Sequence, residues 1–524
     1  MGSFSISAID LIIVGIYLVL IVWWGLRNGK SNDSQSYFLA GRSMPWWVVG
    51  LSLFAASISS TTLIGQSGDA YHTGLAVFNY NLTGIIVMIF FAIFLLPLYI
   101  KSKIFTIPEF LEKRFDSRSR YYFSAICIIG NIFLDAAGAL YAAALIIKLV
   151  FPGTNLQLII IIFAILAASY TIPGGLSSAI NTELVQAIIL IIGSVLLTFF
   201  CFQQGGDYFY QLFSGNNILI KLIRPLSDIA TPWLGLILGM PILGIYFWAN
   251  NQTLVQRVLS SKTIDEGRKG ILFTGFLTMS TLFIVAIPGV IARHLFPGLE
   301  KPDMVYPNMV LRLMPVGLLG VMLAALLSAL TSTLSAILNS TSTLFTMDFY
   351  AKFNKQANSK HLVLVGKITS CVIIILSALW APNIGKFGSL LKYYQEMLSY
   401  ISPPIVSTFI MGIFSKRVNA NGAFVGLIGG LLVAVILLFF KGSIFGNLHF
   451  LLIVPFLFGF SCILIYSVSL LYAPPFEGKL QNTTFRRKDL IEEFERLHSI
   501  KWYKNYLYWA LLLLLLCITI WVIF

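Results

Sequence analysis

Charge is scarce in this chain: 11% of its 524 residues are charged, against roughly 25% in an ordinary soluble domain. Hydrophobic residues make up 58%, where roughly 45–50% is usual. Too few charges are available to cover a water-facing surface, so hydrocarbon must be the solvent for most of the chain. Cysteine and histidine are equally sparse, at five each. Cys127, Cys201, Cys371, Cys462 and Cys517 all fall in apolar segments, which excludes a disulfide framework or zinc site and predicts buried, unpaired thiols. No two histidines stand at helical spacing, so haem or metal ligation has no visible seat. A phosphate-cradling loop is also missing. The single Gly29-Lys30-Ser31 has Trp24 where the motif's first glycine should stand, which excludes ATP as the driving force. With no clustered catalytic groups, the chain reads as a transporter or channel rather than an enzyme.

Apolar stretches are abundant. About 20 residues cross a bilayer as a helix, and fourteen segments qualify: 8–26, 45–70, 75–100, 120–150, 156–173, 183–204, 232–252, 270–293, 309–348, 361–382, 394–414, 421–440, 447–473 and 503–524. No Lys or Arg precedes the first and no A-x-A site follows it, so it reads as a retained span and not a cleaved signal. The net charge of +14 could suggest nucleic acid, but its distribution points to a membrane. Odd-numbered loops carry 26 of the 35 Lys and Arg. By the positive-inside bias they face the cytoplasm, which puts both termini outside a plasma (inner) membrane. The expected fold is therefore all-α, one transporter domain over 1–524 with the lipid bilayer as partner. The stretch "RRKDLIEEFERLH" is expected to be a short, solvated helix at the cytoplasmic surface.

Two spans are irregular inside. The second packs Ser52, Ser57, Ser59, Ser60, Thr61 and Thr62 between Gly50 and Gly65, and the seventh holds Pro232, Gly235, Gly239, Pro241 and Gly244. Broken helices at membrane depth are tolerated where they line a cavity or are buried in protein. Small-residue packing would explain the glycines, but less readily so many hydroxyls. The irregular spans lie five apart, the sequence pointer to inverted repeats with a midplane binding site. The repeats would cover 45–205 and 232–415, with 421–524 forming peripheral helices. In the ninth span Ala329, Ser332 and Thr333 stand at i, i+3 and i+4, so a carbonyl and two hydroxyls can converge from one wall. If the second span unwinds between Ala55 and Ile58, its carbonyls supply the opposite wall of an all-oxygen cage suited to a hard cation such as sodium.

"SYFLAGRSMPWWVVGLSLFAASIS", "TIPEFLEKRF", "IPGGLSSAINTELVQ" and "LNSTSTLFTMDFY" occur in this order, and with them nearly the whole chain resembles the sodium/solute symporter family, which includes bacterial sodium/galactose and sodium/sialic acid symporters and the sodium/glucose cotransporters. The resemblance implies fourteen helices around two inverted five-helix repeats, sodium as coupling ion, and no other cofactor. It implies sodium ligands at the carbonyls of Ala55, Ile58 and Ala329 and the hydroxyls of Ser332 and Thr333. Some members hold a second sodium, for which Glu183, Ser332 and Ser335 are candidates here. Ala336 lacks a hydroxyl that some two-sodium members have. The other reading of Glu183 is a helix-start carboxylate.

For the solute, the resemblance carries over to Thr62, Asn81, Gly244, Thr278 and Gln395, with Phe247 as a ring that closes the pocket or else packs. Asp135 stands in mid-span, where an ionisable residue is a functional hypothesis by default. It would repel an anion and could accept hydrogen bonds from vicinal hydroxyls; bonding to a neighbouring helix or a link to the ion site is the other reading. The expected solute is a neutral sugar or polyol, then a cationic or zwitterionic molecule, then an organic anion such as sialic acid. An uncoupled facilitator or channel is the rival of another class.

Overall fold

The computed structural model describes residues 6–28, 33–58, 61–151, 153–213, 217–228, 230–299, 301–387, 390–446 and 448–524. The described chain is almost wholly helical, with two isolated β-bridges and no strand. Twelve helices are long and apolar enough to cross a membrane, or thirteen when one sharply bent pair is joined. This is an integral membrane protein.

The bent pair is the second span. Helix Trp46–Ser57 begins straight after Pro45, whose missing N–H costs nothing at a helix start. It ends at Ile58 (φ −83°, ψ 82°), and the chain re-enters helix at an angle of 63°. Ser59 and Ser60, two of the hydroxyls in the run, lie outside the described residues.

The seventh span differs from expectation. Pro232 and Pro241 both fall at helix starts, where they break nothing, and Gly239 keeps helical angles. The departure comes later: the helix widens to π geometry over Tyr246–Asn250 and leaves it at Asn251 (φ −72°, ψ 117°). Helix Gln252–Leu259 restarts there, the Asn251 side chain accepting from Thr253 N at 2.8 Å.

The region expected to loop between 173 and 183 is helical on both sides of a single-residue turn. Leu156–Phe213 runs 58 residues, interrupted at Gly175 (φ 62°, ψ −154°). At about 1.5 Å per residue that is far longer than the roughly 30 Å hydrocarbon core. A Cβ at Gly175 would stand 2.7 Å from the Tyr37 carbonyl oxygen, so glycine is required by both angle and space.

Helix Leu318–Thr343 is buried along almost its whole length and forms the axis of the molecule. Its first amides are held by the first span: Asp10 accepts from Gly317 N at 2.8 Å and Gly320 N at 2.7 Å, a carboxylate set against a helix N-terminus. Helices Ala8–Asn28, Ala420–Phe445 and Tyr506–Ile523 instead expose Ile, Leu and Phe outward, as a lipid-facing surface must.

The charged stretch does form a helix, Arg487–His498, but it is docked and not merely solvated. Arg496 binds Asp265 through both terminal nitrogens at 2.8 Å, and Glu493 pairs with Arg268. These pairs hold Asp265 below the usual carboxylate range, against burial, which pushes it up. All five cysteines are free, but Cys371 is exposed and Cys462 half-buried, so the expected burial holds for only Cys127, Cys201 and Cys517.

Candidate functional site

The break in the second span faces the middle of helix Leu318–Thr343. There Ser332 Oγ lies 3.3 Å from Ala55 O and 3.0 Å from Ala329 O, and Thr333 Oγ1 lies 2.9 Å from Ala329 O. Four of the five expected oxygens thus sit in one buried cluster, at separations that adjacent ligands of a cation held at about 2.3–2.6 Å would have. A terminating helix leaves its last carbonyls without intrahelical donors, which is why a break at this point can offer oxygen to an ion. Ile58, the fifth, closes the helix end and lines the adjoining cavity.

The adjoining cavity lies between the second, third, seventh and eighth spans and the segment at 394–398. Thr62, Asn81, Gly244, Phe247, Thr278 and Gln395 all line it. Asn81 Nδ2 donates to Thr281 Oγ1 at 2.6 Å and exchanges hydrogen bonds with the Gln66 amide at 3.0 and 3.2 Å, tying the re-entrant half of the second span to two neighbours. Thr62 Oγ1 donates to Ser57 O across the break at 3.2 Å. Thr278 Oγ1 is buried and has no hydrogen-bond partner among the described residues. An orphaned hydroxyl against a cavity is costly unless something in the cavity completes it. Trp248 stands edge-on to Phe247, ring centroids 5.1 Å apart, in space that Gly84 leaves open.

Gln66, Tyr80, Trp248, Thr281 and Tyr394 line the same cavity and were not singled out from the sequence. Tyr394 adjoins Gln395 in "KYYQEM", but nothing in that run distinguishes its inward residues. Among the described residues the wall carries no Lys, Arg, Asp, Glu or His.

Asp135 is not on that wall. It sits in a π-helical stretch, Asn131–Ala136, and borders a second, small cavity. Ser57, Phe247 and Tyr394 border both cavities, and Tyr394 neighbours the Asp135 carboxylate.

Nor do Glu183, Ser332 and Ser335 converge. Glu183 is fully buried and gives its oxygens to Arg257, at 3.1 Å from Nε and in a shorter contact with the terminal nitrogen, and to Ser52 Oγ. Ser335 Oγ pairs with Thr171 Oγ1 at 2.7 Å, while Ser332 faces Ala55. Glu183 also stands well past the first turn after Gly175, beyond the reach of a helix-start effect. Its charge is met by a guanidinium.

The chain matches the family model described as "Sodium:solute symporter family" over residues 37–430. It is 33% identical to the sheep (Ovis aries) sodium/glucose cotransporter 1, the match covering 94% of this chain and 84% of the relative. It is 32% identical to the bovine (Bos taurus) sodium/myo-inositol cotransporter, over 91% and 75% respectively. Among solved structures, a sodium-coupled sialic acid symporter in a substrate-bound outward-open state superposes with a TM-score of 0.80 at 24% identity, covering 89% of this chain and 99% of that one. The matched proteins are symporters and not enzymes.

Proposed function

Because the chain belongs to the sodium:solute symporter family, we propose that it imports a neutral sugar or polyol together with sodium, by alternating access around the cavity described above. The observation that carries the solute class is the wall itself: amides, hydroxyls and aromatic faces without a formal charge, and a Thr278 hydroxyl still lacking a partner. Amides and hydroxyls exchange hydrogen bonds with sugar hydroxyls, and Phe247 and Trp248 offer faces to the apolar side of a ring. A carboxylate solute would find no cation to meet it, which weighs against an organic anion. The glucose and myo-inositol cotransporters among the relatives are consistent with this class.

Sodium takes the oxygens of Ala55, Ile58, Ala329, Ser332 and Thr333. Bound there, it joins the broken second span to the axial helix and stabilises the conformation in which Thr62 and Gln66 face the solute. Solute and ion thereby favour the same state, which is the condition for coupling. Each sodium entering down 100 mV supplies about 2.3 kcal/mol from the electrical term alone.

The topology that goes with this mechanism has fourteen crossings, the turn at Gly175 dividing Leu156–Phe213 into two. Inverted repeats span 45–205 and 232–415, helices over 421–524 lie outside the core, and both termini face outward. The docked helix Arg487–His498 and the Arg268 end of the eighth span are then cytoplasmic.

Uptake of radiolabelled glucose and myo-inositol into proteoliposomes tests the reading. Accumulation of either should need an inward sodium gradient and stop when potassium replaces sodium. Uptake that persists in potassium would identify a facilitator. Accumulation of an organic anion in place of both neutral solutes would overturn the solute class.

A further inference from the structure

Asp10, Asp135, Glu183 and Asp348 all stand in membrane-spanning helices, and three of these four have their charge answered. Glu183 has Arg257. Asp348 has Arg120, with Thr106 Oγ1 at 2.7 Å. Asp10 has two amides at a helix N-terminus and the Ser7 hydroxyl at 2.6 Å. Asp135 makes no ion pair among the described residues, and the cavity it borders is lined by no Lys, Arg or His. Its polar neighbour is the neutral Tyr394 hydroxyl.

Taking an unpaired carboxylate out of water is expensive, and a phenol neutralises none of its charge. Hydrocarbon around the bundle makes the deficit greater than in a soluble core. The same cavity is bordered by oxygen-bearing side chains from three other elements: Thr333 on the axial helix, Asn251 and Thr253 where the seventh span breaks, and Ser57 at the break of the second. Thr253 Oγ1 shares one hydrogen bond with Ser340 Oγ at 2.7 Å, and Asn251 Oδ1 accepts one backbone N–H, so each retains lone-pair capacity. One carboxylate with several neutral oxygens and no soft donor is the chemistry of a hard monovalent cation site.

We propose that this second cavity binds a second sodium ion, held by the Asp135 carboxylate with the oxygens of Thr333, Thr253 and Asn251. This rests on the proposed sodium cage at Ala55 and Ser332, to which Thr333 is common. The second ion lies on the side of that cage where the seventh span breaks, and Tyr394 links it to the solute. Tyr394 neighbours Asp135 while its ring walls the solute cavity, so an ion drawing on the carboxylate changes what the phenol offers the solute. The acid that serves a second sodium in this chain is therefore Asp135 and not Glu183, whose charge Arg257 already meets.

Two measurements on the detergent-purified full chain test this. The first is equilibrium binding of radiosodium. Wild type should bind two ions per chain, and Asp135→Asn and Ser332→Ala one each. The second is anomalous diffraction from crystals with thallium(I) replacing sodium, which should give one peak at the Ala55–Ser332 cage and another beside Asp135. A single wild-type ion, lost in Ser332→Ala and kept in Asp135→Asn, would overturn this inference and leave the first site standing. Two ions retained in Asp135→Asn, or a second peak beside Glu183, would overturn it as well. No saturable sodium binding in wild type would remove both readings. If Asp135→Asn does not fold, the wild-type count and the position of the second thallium peak decide alone.

Discussion

Glu183 and Asp135 are both carboxylates inside membrane-spanning helices, and their surroundings are opposite. Glu183 is sealed among side chains, with Arg257 and Ser52 on its oxygens. Asp135 keeps residual access to a cavity and, among the described residues, has a phenol and no cation beside it. The pair around Glu183 joins helix Leu156–Phe213 to the restart of the seventh span and to helix Trp46–Ser57, so it acts as a structural rivet between elements that carry the two breaks. Asp135 joins nothing of opposite charge. A membrane carboxylate thus reads as structure when its counter-charge is built into the chain and as a binding site when the counter-charge must come from outside.

The largest expected effect breaks the rivet. Arg257→Ala leaves Glu183 charged and buried, and loss of one partner from such a pair costs about 3–5 kcal/mol. Thermal unfolding of the detergent-purified protein should show a large drop in Tm. The double variant Glu183→Leu, Arg257→Met removes both charges and should recover most of it. In sodium-free buffer Asp135→Asn should leave Tm unchanged or raise it, because no basic partner is lost. A drop as large as that of Arg257→Ala would mean that Asp135 is a second rivet and would erase the contrast.

Next in size is the ion cage. Ser332→Ala together with Thr333→Ala removes two of the proposed ligands while retaining helix-forming residues. Sodium-stimulated uptake should fall to the level seen in potassium, with the protein still monodisperse on size exclusion. Unchanged sodium dependence would place the coupling ion elsewhere.

How much of this the sequence discloses depends on how local each device is. The approach of Ser332, beside Thr333, to Ala55 was readable because one wall is an i, i+3, i+4 pattern and the other a run of hydroxyls in an apolar span. The residues on the cavity wall came from family resemblance and not from spacing. Arg257 could not be paired with Glu183 from sequence, since the two lie far apart in the chain and only packing brings them together. Prolines misled at 232 and 241, where a helix start forgives them. The real departure, at Asn251, follows a π-helical turn, a one-residue shift in hydrogen bonding that carries no compositional mark. A second such turn aims Asp135 away from the cavity it was expected to line.

Thr278 gives a smaller effect of opposite kind to the rivet. Its hydroxyl is buried without a partner, so Thr278→Val removes an unsatisfied group and should leave Tm level or slightly higher. If the solute completes that hydroxyl, its affinity falls by the worth of one neutral hydrogen bond, about 0.5–1.5 kcal/mol. A competition series with unlabelled solute reads this directly. Equal affinities in Thr278→Val and wild type would show that the solute does not reach the eighth span.

The smallest effect is expected at the docked helix, where ion pairs stand at the surface. Arg496 and Asp265 form two contacts of 2.8 Å, yet their side chains are 45% and 32% exposed. Water and salt screen such pairs, and exposed pairs are worth about 0–1 kcal/mol. Asp265 has a lowered folded pKa, so the pair's contribution is present above the ordinary carboxylate range and is lost as pH falls through the depressed value. Arg496→Ala should therefore shift Tm slightly at neutral pH and low salt, and not at all in high salt. Arg257→Ala should keep its full penalty in high salt, because no ion reaches a pair that is completely buried. A salt-sensitive Arg257→Ala would mean that water enters beside Glu183, and the distinction between the two carboxylates would then be one of degree.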